Sequence, residues 1–216
     1  MSNLTVSKIS GVLLSASLIS LSRMLESEDL PTTSNIKVSN EINMRQFCQN
    51  MPKVGSYSST YESEYATPNL TSRAAFWKLA HDLTIKHSHS KDSCGQKPQK
   101  IATNDYKCDM AVTAFGNLNK IIRIKSFTEF STESIDTWSR PLNEVFQTNI
   151  RLEDVFHVIN GHGMGIPFYH SAHILHGKLN YFLAYNTDLI LDQRYALGIR
   201  DETINVLRMA VDSNQD

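Results

Sequence analysis

The sequence holds little of what disulfide-stapled, redox or charge-driven proteins are built from. Its three cysteines, Cys48, Cys94 and Cys108, are an odd set without CxxC or metal-ligand spacing. That argues against a disulfide framework and for a reducing, cytoplasmic compartment. Charge of either sign is not in excess: 21 basic side chains face 22 acidic ones, with a formal net charge of -1 and no long like-charge run. No nucleic-acid or membrane partner is therefore expected. There is no GxSxG elbow, no HExxH helix and no P-loop. Internal repeats and low-complexity tracts are missing as well.

What is present is ordinary globular material. A chain of 216 residues with 41% apolar content is long enough to bury a substantial core, and it is read as a single domain over 1–216. Ile9 to Ser22 carries no charge between Lys8 and Arg23. It resembles the apolar region of a secretory leader, with Ser20 and Ser22 as small residues for cleavage, and it is too short for a spanning helix of about 20 residues. On a helical wheel Lys8, Ser15 and Ser22 share one stripe and apolar residues fill nearly all the rest. That is the pattern of a helix buried in a larger protein, with Thr5 as its starting cap. The cysteine pattern favours the buried helix.

Further along, Ile36 to Phe47 reads as a strand region bearing Arg45, followed by a turn at Pro52 to Tyr57 and an extended segment through Tyr65. Thr71 or Ser72 caps a helix with Phe76, Leu79, Ala80 and Leu83 on one face and Trp77 beside them. The polar stretch from about 88 to 105 reads as a mobile loop. Asp109 to Asn117, Ile121 to Phe127 and Phe156 to Ile159 read as strands. Gly165 to His176 and Lys178 to Asn186 form a hairpin around Gly177. Asp201-Glu202 suit the first turn of a closing helix whose Ile204, Leu207 and Val211 make one face. The pattern predicts an α+β fold with a mixed or antiparallel sheet covered by helices.

Phe156 to Asn186 gathers five of the eight histidines. His170, His173 and His176 stand three apart, which on a helix would bring them near one face for zinc. In a hairpin context His170 and His176 share a face and His173 points the other way, so the three do not close a tetrahedral site, and no metal is expected. Gly161, Gly163 and Gly165 lack the spacing of a dinucleotide or phosphate loop and read as a turn. His87 and His89 complement a helix end. Cys48 and Cys108 lie in apolar runs and read as buried thiols, while Cys94 is the more exposed. No catalytic residue emerges from spacing alone.

Several stretches, in order, resemble one family. LTVSKISGVLLSASLISLSRML resembles the buried helix that opens the second half of alcohol O-acetyltransferase-like proteins. These are relatives of chloramphenicol acetyltransferase, BAHD enzymes and peptide-synthetase condensation domains. EINMRQF resembles an Arg-bearing strand of that half, and KVGSYSSTYESEY with AAFWKLAHDL its next strand and helix. DMAVTAFGNLNKI resembles the strand ending in an Asn-Leu-Gly-type turn, here in the order Gly116-Asn117-Leu118. HGKLNYFLAYNTDLI resembles the hairpin strand with a Tyr-Asn ending.

The resemblance implies two halves facing each other across a tunnel, with the first half supplying an HxxxD motif. Its histidine deprotonates an alcohol or amine, which attacks an acyl thioester. No histidine of this sequence begins an HxxxD: His81 is followed directly by Asp82, and His89 stands three residues before Asp92. The chain thus resembles a C-terminal half without its catalytic partner. The resemblance places Gly116, Asn117, Tyr185 and Asn186 on the tunnel side as substrate-binding residues and leaves Arg45 a local structural role. It implies acyl-CoA as cosubstrate with no permanently bound cofactor, a small-molecule acyl acceptor, and an N-terminal catalytic half or a second copy as partner. Two other readings compete: a non-catalytic binding or dimerisation module, and a small secreted protein with a His-lined metal site.

Overall fold

In the computed structural model the residues described are 8–27, 35–43, 58–68, 72–96, 108–117 and 165–212. They make three helices and five strands: α1 (Ile9–Ser27), β1 (Asn35–Asn43), β2 (Ser58–Ala66), α2 (Arg73–Gln96), β3 (Met110–Asn117), β4 (Phe168–Leu175), β5 (Lys178–Tyr185) and α3 (Gln193–Val211). The strands form one sheet in the order β2-β1-β3-β4-β5. Its centre is parallel, β1 with β3 and β3 with β4. Its edges are antiparallel, β2 on β1 and β5 on β4. The expected α+β class with a mixed sheet is what the chain adopts.

α1 is the element around which the core forms. Leu13, Leu14, Leu18 and Leu21 pack on Ile36, Val38, Met110, Val112, Phe168 and Ala172, the inward residues of the three central strands. Its other flank, Ala16 and Ile19, meets Phe76 and Ala80 of α2 and Val206 and Ala210 of α3. The stripe of Ser15 and Ser22 is buried too, so no flank is left to solvent over the middle turns. Ser15 and Ser20 stay satisfied by donating to the carbonyls of Gly11 and Ala16, at 2.8 and 2.6 Å, as serines in helix interiors do. The full helix, to Ser27, has the length and apolarity to cross a bilayer, yet most of it lies inside the domain.

The flanking helices are tied down by polar contacts at their ends. Trp77 Nε1 and Arg73 Nε of α2 both donate to the Ala210 carbonyl, at 2.9 and 3.2 Å, satisfying an acceptor in the last turn of α3. Arg23 of α1 pairs with Glu202 of α3 at 2.6 Å. α2 leans on β2 through Tyr61 and His87, at 2.5 Å, and through Lys86, whose ammonium lies 4.2 Å from the Tyr65 ring centre.

Sequence boundaries shift in two places. α2 continues through Gln96, so the polar stretch expected as a loop from about 88 begins as helix, and Cys94 is placed on that helix. Ser72 is its cap, accepting from Ala75 N at 3.2 Å. α3 begins at Gln193, capped by Asp192, so Asp201-Glu202 lie mid-helix and not in the first turn. Its buried face is Ala196, Ile199, Thr203, Val206 and Ala210, whereas Val211 is 67% exposed. Asp192 accepts the Arg194 amide at 2.9 Å, a stronger start signal than acidic residues eight positions later. The β4–β5 hairpin forms as expected, with His176 and Gly177 both at positive φ, 52° and 75°, as a two-residue turn requires. Thr5, Arg45, Cys48, the strands expected at 121–127 and 156–159 and the Gly161–Gly163 turn lie outside the described residues.

Candidate functional site

The four residues carried by the family resemblance fall in two places. Gly116 and Asn117 close β3, opposite His173 and Ile174 of β4. The register slips between Ala114 and Gly116, so Phe115 is the extra residue of a bulge. Gly116 holds φ at +76° there, a backbone state glycine reaches without strain. Tyr185 closes β5 opposite Phe168, at the other end of β4. His173 and Phe168 are five residues apart, about 17 Å along a strand. The two pairs therefore do not meet around one small ligand.

The Tyr185 end borders a concavity. Asn186 donates its amide to the Pro167 carbonyl at 2.9 Å. Its Oδ1 accepts from Asp188 N, also at 2.9 Å, and its carbonyl accepts from Ile190 N at 2.8 Å. This tight turn is an Asx-type device. It sets Leu189 to Leu191 beside α1, leaving a groove of about 420 Å³ walled by Leu21, Met24, Leu25, Phe168, Ile190 and Ile199. Asp192 also lines the groove and lies 2.6 Å from Arg194, whose guanidinium holds the Asp192 carboxyl below its usual range.

The histidines of the hairpin are distributed as strand geometry requires. His170 faces the helices and His173 the opposite side, and both are fully buried. His170 Nδ1 lies 2.9 Å from the Tyr181 hydroxyl, and Thr203 of α3 is a neighbour of that hydroxyl. Thr203 Oγ1 donates to the Ile199 carbonyl at 2.7 Å, a group that can only accept. His170 Nε2 has no hydrogen-bond partner among the described residues. Burial pulls the imidazole down to about 3 and raises the Tyr181 phenol. This histidine is a neutral core residue. His173 stacks on Phe182, with ring centres 5.5 Å apart.

A polar cluster that sequence reasoning missed lies on the sheet face away from the helices. Glu41 of β1, Thr113 of β3 and Tyr169 of β4 come from adjacent strands. Thr113 Oγ1 donates to Glu41 Oε2 at 2.7 Å and Tyr169 OH to the same oxygen at 2.6 Å. The two hydroxyls are 2.8 Å apart. Burial, then the hydrogen bond to Glu41, keeps Tyr169 protonated well above the ordinary phenol range. Cys108, Ala111 and Ile166 form an apolar patch against Tyr169. Polar side chains at alternating positions were the available signal, but the pairing of strands far apart in sequence was not.

No protein-family model matches the sequence and no curated protein matches it. Solved structures do match. One comes from work on the molecular basis for condensation domain-mediated chain release from the enacyloxin polyketide synthase: 12% identity, a TM-score of 0.54, and coverage of 95% of this chain. The fold is that of part of a condensation domain. The chain spans only 36% of that structure's length. PapA2 acyl transferase aligns over 94% of this chain and 39% of its own length, at 10% identity and a TM-score of 0.49. The epimerization domain from the third module of tyrocidine synthetase B aligns over 95% and 43%, at 10% and 0.47. A condensation-domain fold at such identity fixes architecture and leaves chemistry to be argued from the residues.

Proposed function

We propose that these residues form the C-terminal portion of an acyltransferase of the condensation-domain type. It would transfer an acyl group from a thioester such as acyl-CoA to a small alcohol or amine. The observation that carries this reading is the shared fold over nearly the whole chain, set against a coverage of 36% of the matched structure. The missing HxxxD agrees with it: the general base that such chemistry requires would come from sequence other than these 216 residues. The sheet would be one wall of the site, with Gly116, Asn117, Tyr185 and Asn186 as substrate-side residues at its two ends. A reducing compartment suits a chain in which Cys108 is a buried free thiol.

Reading the coding DNA upstream of Met1 tests the proposal. An HxxxD-bearing frame within about one domain, ~150–250 residues, is the expected result. A stretch of that length without the motif in any frame would contradict it.

One observation favours a second reading, a non-catalytic association module. Leu191 is 90% exposed and Leu189 49% exposed beside the apolar groove, surface that a partner or second copy would cover. Light scattering decides: a monodisperse monomer at micromolar concentration would exclude self-association.

A further inference from the structure

The Glu41 cluster has the chemistry of a binding site, and it stands whether or not the chain takes part in acyl transfer. Glu41 and Tyr169 are only partly buried, so a ligand can reach them, while Thr113 is buried beneath. Among the described residues no cation pairs with Glu41. The lysine on the same face of β1, Lys37, is engaged 3.5 Å from Glu64. A half-buried carboxylate without a counter-charge is an electrostatic deficit that an incoming cation relieves.

The hydrogen bonds specify which cation. A carboxylate oxygen has two principal acceptor directions, and both on Oε2 are taken, by Thr113 and Tyr169. Among the described residues none donates to Oε1. A guanidinium needs one acceptor direction on each oxygen for its two-pronged contact, and here Oε2 cannot supply one. An ammonium needs only a single strong acceptor. The apolar patch of Cys108, Ala111 and Ile166 against Tyr169 offers contact for a short hydrocarbon stem.

We infer that Glu41, Thr113 and Tyr169 form a recognition site for a primary alkylammonium group, selective against guanidinium. The ligand class is a small aliphatic amine or a lysine-like side chain.

The test is titration of the full 216-residue chain with n-butylammonium and with n-butylguanidinium chloride, read by calorimetry and by the aromatic NMR signals of Tyr169. Saturable ammonium binding is expected, with the guanidinium weaker. Glu41→Gln keeps an acceptor for both hydroxyls and removes the charge, so it should lower ammonium affinity roughly tenfold or more. Tyr169→Phe frees one direction on Oε2 while leaving the charge, so guanidinium should gain relative to ammonium. That change of preference separates a built site from mere surface charge and serves also if the Glu41 variant does not fold. No saturable shift up to roughly 50 mM amine, or a preference unchanged by Tyr169→Phe, would overturn the assignment.

Discussion

His170 Nδ1 lies 2.9 Å from the Tyr181 hydroxyl across the β4–β5 ladder, with Thr203 of α3 as a neighbour of that hydroxyl. Because the imidazole is wholly buried and its pKa is pulled down to about 3, the folded chain holds it neutral where the unfolded chain would charge it.

The sign of the pH effect follows. Between 6.5 and about 3 the unfolded state binds the extra proton, so this group's contribution is whole above 6.5 and shrinks as pH falls. The slope approaches about 1.4 kcal/mol per pH unit. Urea unfolding at a series of pH values should show this loss, and His170→Asn, which keeps a hydrogen-bonding group toward Tyr181, should flatten it. In the folded protein nitrogen NMR should find His170 neutral at pH 5.

Gly11 lets α1 pass close against α2. A Cβ there would collide with the Thr84 hydroxyl and with the Ala80 carbonyl, which is backbone and cannot turn away. Gly11→Ala should therefore destabilise by about 1–3 kcal/mol. Gly198→Ala is the control: its Cβ would meet only the end of the Met24 side chain, at 2.8 Å, which can swing aside, so the loss should be smaller. Thermal unfolding of the two variants compares them directly.

Cys108 should resist modification. It is buried, and burial followed by the nearby Glu62 carboxylate pushes its thiol up to about 12. Since the thiolate is the reactive form, iodoacetamide at pH 8 should label Cys108 in the folded chain about a hundredfold more slowly than in the urea-unfolded chain. Peptide mapping reads this site apart from Cys48 and Cys94.

Local pattern made much of the architecture legible. The apolar run of α1, the Phe76–Ala80–Leu83 face of α2 and the Gly177 hairpin each declare themselves through short-range periodicity or turn chemistry. The misplaced start of α3 has a physical reason. Asp192 caps through a single side-chain contact, whereas Asp201-Glu202 offered a louder but irrelevant acidic pair. The candidate site was less legible, because it depends on the parallel pairing of β1 with β3 and of β3 with β4, which brings Glu41 to Thr113 and Tyr169, 72 and 128 residues away. No local signal carries that register. The same register places Gly116 and Tyr185 at opposite ends of β4, which motif matching could not foresee.

The most direct test of the missing-base account is thioester-dependent acyl transfer by the purified chain. Acetyl-CoA with a panel of small alcohols and amines should release free thiol no faster than a protein-free control, because no HxxxD histidine is present to activate the acceptor. Turnover above that control by the 216 residues alone, abolished on unfolding them, would contradict it.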